Sequence, residues 1–163
     1  MRIKLSDLFI GNFKVTNKFN DPKTRSWYWR FGMKGHNGVD FGTPTGTKLI
    51  APYDGVISRS RYDQHGWGHY VRVWDKNQKC VCIFAHLKER KVKEWQYVKK
   101  GQLLGLSGNT GNSTGSHLHF GLYLTNTWGY KTNLKNGFKG AINPLSWGNV
   151  IWNIKNPSIP VAN

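Results

Sequence analysis

The histidines of this 163-residue chain are the side chains best suited to chemistry, and their spacing is more informative than their number. His36 and Asp40 lie four residues apart in a segment that contains glycine. His117 and His119 are separated by one leucine, so on a strand both side chains would point to the same face. Imidazole and carboxylate groups are common zinc ligands, and a catalytic zinc takes three of them. The two motifs together offer such a set.

Other catalytic patterns are absent from the sequence. No His-Glu-x-x-His motif is present, and the nearest inverse, His86 to Arg90, ends in arginine where a second histidine is required. A hydrolase built on this chain must therefore use its remaining histidines as acid and base. The glycine-rich loop Gly108–Gly115 lacks the lysine of a phosphate-binding loop and leads into a predicted strand, which excludes that reading. His65 and His69 are interpreted as surface-loop residues.

Short strands separated by turns must position these residues. Tyr70–Trp74 and Cys80–Phe84, joined by a polar turn, predict an antiparallel hairpin. Helical periodicity is weak, and Leu87–Val98 reads as a turn of helix or a loop. Thr125–Gly140 is polar with scattered aromatics and predicts a long loop or an irregular hairpin. The pattern favours an all-β fold, mainly antiparallel sheet with long loops and little helix.

The two cysteines, Cys80 and Cys82, would face the same side of a strand at a spacing near the limit for a disulfide, so two free thiols are predicted.

The length predicts one domain. We place it over residues 1–147, followed by a C-terminal tail over residues 148–163. No apolar run approaches the ~20 residues of a membrane helix, so no membrane span is expected. The N-terminus lacks the apolar core of a signal peptide, so either a signal has been removed or the protein reaches its target by another route.

The net charge of the chain favours a polyanionic partner. Lysine and arginine total 24 against 8 acidic residues, a formal net charge of +16. Such an excess favours adsorption to nucleic acid, to an anionic membrane surface or to an anionic cell wall, and composition does not choose among them.

A series of motifs resembles the lysostaphin-type zinc metallopeptidases, a family of peptidoglycan endopeptidases. The resemblance runs in order from about Val15 to Trp147. The matching segments are His36–Thr47, Ala51–Val56, Phe84–Leu87, Val98–Gln102, Gly105–Gly115, His117–Phe120 and Asn143–Pro144.

The resemblance implies a role for each active-site residue. One zinc ion per chain would be bound by His36, Asp40 and His119. His117 would act as a base toward the attacking water, and His86 would share with it the handling of protons and transition-state charge. The fold implied is an antiparallel sheet with the active site in a long groove. The activity implied is hydrolysis of a stem-peptide or cross-bridge bond at the bacterial cell wall, in the periplasm or outside the cell.

The chain departs from the family pattern at several positions. Ser116 replaces a frequent proline before the His-x-His motif, and Gly121 replaces a frequent glutamate after it. Tyr28 is a candidate for the family's upstream aromatic hydroxyl. The Thr125–Gly140 segment is longer than usual, and its Trp128 and Tyr130 are predicted to contact substrate.

The partners expected are peptidoglycan and anionic wall polymers, without specific nucleic-acid binding, and the protein is expected to be a monomer of the phage lysin type. One alternative is a catalytically silent family member that binds or regulates. Another is a basic nucleic-acid-binding β-domain, which composition allows but which leaves the histidine and aspartate set unexplained.

Overall fold

The computed structural model describes residues 7–11 and 13–146. Within these ranges the chain forms ten strands, a 3-10 turn over Pro22–Thr24 and one short helix, α1 (Arg25–Trp29). The strands are β1 (Val15–Asn17), β2 (Val39–Phe41), β3 (Lys48–Ile50), β4 (Gly55–Asp63), β5 (Gly68–Asp75), β6 (Cys80–Arg90), β7 (Tyr97–Val98), β8 (Leu103–Ser107), β9 (Leu118–Leu124) and β10 (Ala141–Ile142).

All strand pairs are antiparallel, and the main sheet has the order β1-β2-β9-β6-β5-β4-β7. β10 pairs with β9, β3 pairs with β8, and β8 also pairs with β6. The predicted hairpin is confirmed as β5 and β6, with Val73 opposite Cys82. The all-β prediction is also confirmed, because the one helix within these ranges has five residues.

The two faces of the sheet have different roles because side chains alternate along each strand. On β9, Leu118, Phe120 and Leu122 point into the main hydrophobic core. His119 and Tyr123 point to the other face, where a smaller apolar cluster forms around Tyr123. The main core thus packs against one face of the sheet, and His119 lies on the opposite face.

Both cysteines are buried in the main core and have free thiols, as predicted. Burial raises the pKa of Cys80 to about 12, and that of Cys82 also lies well above its usual value. The two thiols therefore stay protonated and contribute to packing.

The structure corrects two predictions and limits a third. His69 lies within β5 and not in a surface loop. Leu87 to Arg90 are neither helix nor loop, because β6 continues through them and pairs with β8. Helix α1 was not predicted. The boundary between domain and tail at residues 147 and 148 lies outside the described residues and stays a prediction. In the described part of the chain, no helix is long and apolar enough to cross a membrane.

Candidate active site

Strand pairing brings Asp40 and His119 together although 79 residues separate them in sequence. They lie directly opposite each other on β2 and β9, and Ala85 of β6 lies opposite His119 on its other side. Side chains directly opposite across antiparallel strands share one face and lie about 5 Å apart at Cβ. The sheet therefore fixes both groups on the face away from the main core.

His36 completes a triangle of donor atoms. Its Nε2 lies 3.0 Å from His119 Nδ1 and 3.1 Å from Asp40 Oδ1, and the third side, from His119 Nδ1 to Asp40 Oδ1, is 3.0 Å. A tetrahedral zinc with bonds of about 2.0–2.1 Å separates its ligands by about 3.3–3.4 Å. These three buried residues could hold a metal ion.

The hydrogen bonds around the triangle leave the arrangement of lone pairs that a bound cation needs. His36 Nδ1 lies 2.9 Å from the carbonyl of Lys18, which can only accept, so we assign its proton to Nδ1. The lone pair on Nε2 then points at the carboxylate of Asp40. In His119, Nδ1 points into the triangle while Nε2 is buried without a hydrogen-bond partner in the described structure. Lone pairs that converge on a carboxylate repel one another unless a cation lies between them.

The carboxylate of Asp40 is held in its charged form. Burial acts against ionisation, but the neighbouring imidazole rings of His119 and His36 outweigh it and hold the pKa of Asp40 below its usual range. The second oxygen accepts a hydrogen bond of 3.2 Å from Asn17 Nδ2 on β1. Asn17 therefore orients this group, a role that nothing in the sequence pattern indicated.

The other two predicted residues, His86 and His117, lie side by side next to the triangle. Their ring centroids are 4.7 Å apart, and His117 Nε2 lies 3.8 Å from Asp40 Oδ1. Each ring has its Nδ1 2.8 Å from a backbone carbonyl, that of Thr110 for His86 and that of Gly115 for His117. The protons are therefore assigned to Nδ1, and both Nε2 atoms are free to accept a proton.

His86 reaches this face through an irregularity in β6. Ala85 shares the face with His119, so simple alternation would send the next side chain into the main core. The register between β5 and β6 shifts at this point, and His86 has a φ of 61°. This bulge turns the imidazole toward His119, with the two ring centroids 5.9 Å apart. Burial, with the charges of His119 and His117, lowers the pKa of His86 to about 3, so the ring is neutral near pH 7.

Two clefts flank the group of histidines. One, of about 290 Å³, is lined by His86, His119, Tyr28, Trp67 and Lys139, among others. The other, of about 380 Å³, is lined by Asp40, His117 and mostly polar residues of the loops around residues 21–24 and 114–116. His86 and His119 thus line the first cleft, Asp40 and His117 line the second, and His36 is buried and lines neither.

Of the three residues predicted to contact substrate, Tyr28 lines the first cleft, whereas Trp128 and Tyr130 lie elsewhere. The ring of Tyr28 stacks on that of His36 at 5.2 Å, and burial with the charge of Asp40 raises the pKa of its hydroxyl. Trp128 and Tyr130 are 80% and 72% exposed and line neither cleft. They follow the far end of β9, since Thr125 is six residues, or about 20 Å, beyond His119. The long segment instead contributes Lys139 to the first cleft.

The departures from the family pattern leave the donor triangle intact. Ser116 accepts a hydrogen bond from Thr45 Oγ1 at 2.9 Å, which ties together two loops at the second cleft. Gly121 lies beside the unpartnered Nε2 of His119, which points away from the triangle, and a Cβ at this position would be 3.6 Å from that atom. The glycine therefore places no side chain where one could reach that nitrogen.

The family is established by the match of residues 34–131, more than half of the chain, to the model of Peptidase family M23. The chain belongs to this family. Its fold resembles the catalytic domain of the prophage-encoded M23 protein EnpA from Enterococcus faecalis, with a TM-score of 0.66 and 25% identity over 86% of this chain and 95% of that one. It also resembles the catalytic domain of lysostaphin from Staphylococcus simulans, with a TM-score of 0.59 and 27% identity over 74% of this chain and 94% of that one.

One curated relative is peptidoglycan DD-endopeptidase ShyA of Vibrio cholerae, which is 42% identical over 89 residues. The match covers 55% of this chain and 20% of ShyA. The chain spans less than a third of the length of the curated relatives compared with it.

Proposed function

We propose that this chain is a zinc-dependent endopeptidase that hydrolyses a peptide bond of bacterial peptidoglycan. The observation that carries the proposal is the donor triangle of His36, Asp40 and His119, with two further imidazoles whose Nε2 atoms are free beside it. A catalytically silent family member is expected to lack some of these groups, whereas all five converge here.

Zinc held by the triangle would lower the pKa of a water molecule and polarise a substrate carbonyl. The chain's own residues do the rest of the work. His117 accepts a proton at Nε2, since the carbonyl of Gly115 holds its Nδ1–H. His86, oriented in the same way by Thr110, takes this proton over at its own Nε2 and delivers it to the leaving amine, after which both rings are neutral again. The buried triangle keeps its geometry because both strands carrying it pack on the main core.

The site of action proposed is the cell wall, where a net charge of +16 concentrates the protein on anionic polymers. A lytic enzyme of the phage type is the form we favour, in line with the likeness to a prophage-encoded peptidase. The experiment is mass spectrometry of muropeptides released by the zinc-loaded protein from walls with glycine bridges and walls with D-Ala–diaminopimelate links. New peptide termini in at least one wall type support the proposal, and intact cross-links in both would refute it.

Tyr28 is proposed to bind substrate or transition-state charge through its hydroxyl while its ring supports His36. The substitution Tyr28→Phe keeps the stacked ring and removes only the hydroxyl. We expect zinc content to stay at the wild-type level while turnover falls by about 10- to 100-fold. Metal analysis and initial rates on a soluble cross-linked muropeptide test this. Wild-type turnover in Tyr28→Phe would reduce Tyr28 to a packing role.

Trp128 and Tyr130 are proposed to contact the wall polymer away from the reacting bond. Because both are exposed, replacing both with alanine should change the melting temperature by no more than about 2 °C. The concentration for half-maximal lysis of insoluble walls should rise at least two-fold, whereas the rate on a soluble muropeptide dimer should not change. Equal lysis by the double variant and the wild type would contradict this role.

A further inference from the structure

A group of unpaired cations lies on the same sheet face as the donor triangle. Arg72 of β5 is opposite Ile83 of β6, which is opposite Gly121 of β9, two residues from His119. With about 4.8 Å between strands and 3.4 Å per residue, the α-carbons of Arg72 and His119 are roughly 12 Å apart. The guanidinium of Arg72 lies 5.0 Å from the ring of Trp67, a residue of the first cleft.

Two more cations surround Arg72. Arg59 of β4 is directly opposite it, an arrangement of like charges that is unfavourable in a sheet. Lys131 has its Nζ 5.2 Å from the ring of Trp67 and 3.5 Å from that of Tyr123. Burial, with the charges of Arg72 and Lys139, lowers the pKa of Lys131 to about 7. The positive charges therefore repel one another, and burial removes the water that would stabilise them.

Within residues 7–11 and 13–146, no carboxylate forms an ion pair with these cations. Among the described residues, Arg59, Arg72 and Lys131 form no salt bridge, and Arg72 Nε is buried without a hydrogen-bond partner. All eight acidic side chains of the chain are engaged elsewhere, in ion pairs, in the donor triangle, in turns or with Tyr97: Asp7, Asp21, Asp40, Asp54, Asp63, Asp75, Glu89 and Glu94.

From this geometry we infer an anion-binding subsite formed by Arg72 and Lys131 against Trp67, which takes a carboxylate of the peptide substrate. A half-buried guanidinium without a counter-ion is unfavourable unless a ligand supplies one, and the planar guanidinium matches a carboxylate in two hydrogen bonds. An extended peptide covers about 12 Å in three to four residues. The spacing of the strands therefore places the recognised carboxylate several residues away from the bond that is cut.

This inference rests on the proposed function, and the substrate assay separates the two. The probes are a soluble cross-linked muropeptide dimer and the same dimer with its carboxylates amidated. We expect the zinc-loaded wild type to show a KM at least about ten-fold lower for the free acid, with similar kcat. In Arg72→Gln and Lys131→Met, this preference should fall to two-fold or less. Arg72→Lys, which keeps the charge without the planar group, should lie between.

The control for charge is Lys76→Gln, which removes one positive charge at the exposed turn between β5 and β6 and should keep the wild-type preference. Cleavage with an unchanged preference in Arg72→Gln and Lys131→Met would overturn the subsite and leave the proposed function standing. If the wild type cleaves neither dimer, the proposed function fails and the subsite must be judged by binding alone.

The binding measurement does not depend on activity. The NMR resonance of Arg72 Nε should shift on addition of N-acetylalanine and stay in place with N-acetylalanine amide. Glycerol phosphate is the third probe. A shift with glycerol phosphate alone would assign the cations to a phosphate-bearing wall polymer and overturn the assignment to a peptide carboxylate. The absence of a shift with all three probes would also overturn that assignment.

Discussion

Alanine substitutions at the five active-site positions are expected to separate into two groups. His36→Ala, Asp40→Ala and His119→Ala each remove one of three metal donors, so zinc affinity should fall by orders of magnitude, and wall lysis with it. His117→Ala and His86→Ala should keep their zinc and lose turnover by roughly 10²- to 10⁴-fold, the usual contribution of a general acid or base. The measurement is zinc content after dialysis, alongside lysis rate.

A histidine outside the group provides the control. His69 packs its ring on Tyr62 at 4.7 Å and lines neither cleft, so His69→Ala should keep both zinc and activity. His117 and His119 form the sharpest comparison, because they lie one residue apart yet have different roles. If His117→Ala lost its zinc while His119→Ala kept it, the two roles would be reversed. If all five variants kept metal and activity, the zinc site would be wrong.

The second large effect is expected at Gly38, which packs against His119. A Cβ at Gly38 would lie 2.5 Å from Cε1 of that ring and 2.7 Å from the carbonyl oxygen of Phe120. The carbonyl belongs to β9 and cannot move without breaking the pairing with β2. In Gly38→Ala, the ring of His119 must therefore shift, and we expect zinc affinity to fall at least about 100-fold, as for a lost ligand.

Gly46→Ala distinguishes this effect from general destabilisation. Gly46 has a φ of 94° and open space around its α-carbon, so alanine there introduces backbone strain without a clash. The strain should destabilise the fold by about 1 kcal/mol and lower the melting temperature, while zinc affinity stays at the wild-type value. Wild-type zinc affinity in Gly38→Ala would show that the packing around His119 is looser than described.

Much of the fold and site followed from the sequence because local patterns determine them. Alternating apolar residues predicted the β5–β6 hairpin. The short spacings predicted two pairs of groups suited to a metal site, with His36 close to Asp40 and with His117 and His119 on one face of a strand. The likeness to a family then joined the two pairs and added His86. Sequence patterns alone could not have joined them, since the contact between Asp40 and His119 depends on the pairing of strands 79 residues apart.

The rest could not be predicted because it depends on irregular geometry and long-range packing. The bulge that turns His86 toward the site has no sequence signature, and neither does the carbonyl of Lys18 that orients His36. The strand over Leu87–Arg90 was not predicted because its charged residues do not alternate with apolar ones, and its pairing with β8 depends on long-range contacts. The unpaired Arg72 emerges only when strand register shows which cations share a face and that every carboxylate is engaged elsewhere.

The release of new amino groups from purified peptidoglycan tests the central claim most directly. The protein is stripped with a chelator, assayed, and assayed again after one equivalent of zinc is restored. We expect no new amino groups from the stripped protein and their steady appearance after zinc is added. Equal release without metal, or new reducing sugar ends in place of amino groups, would contradict it.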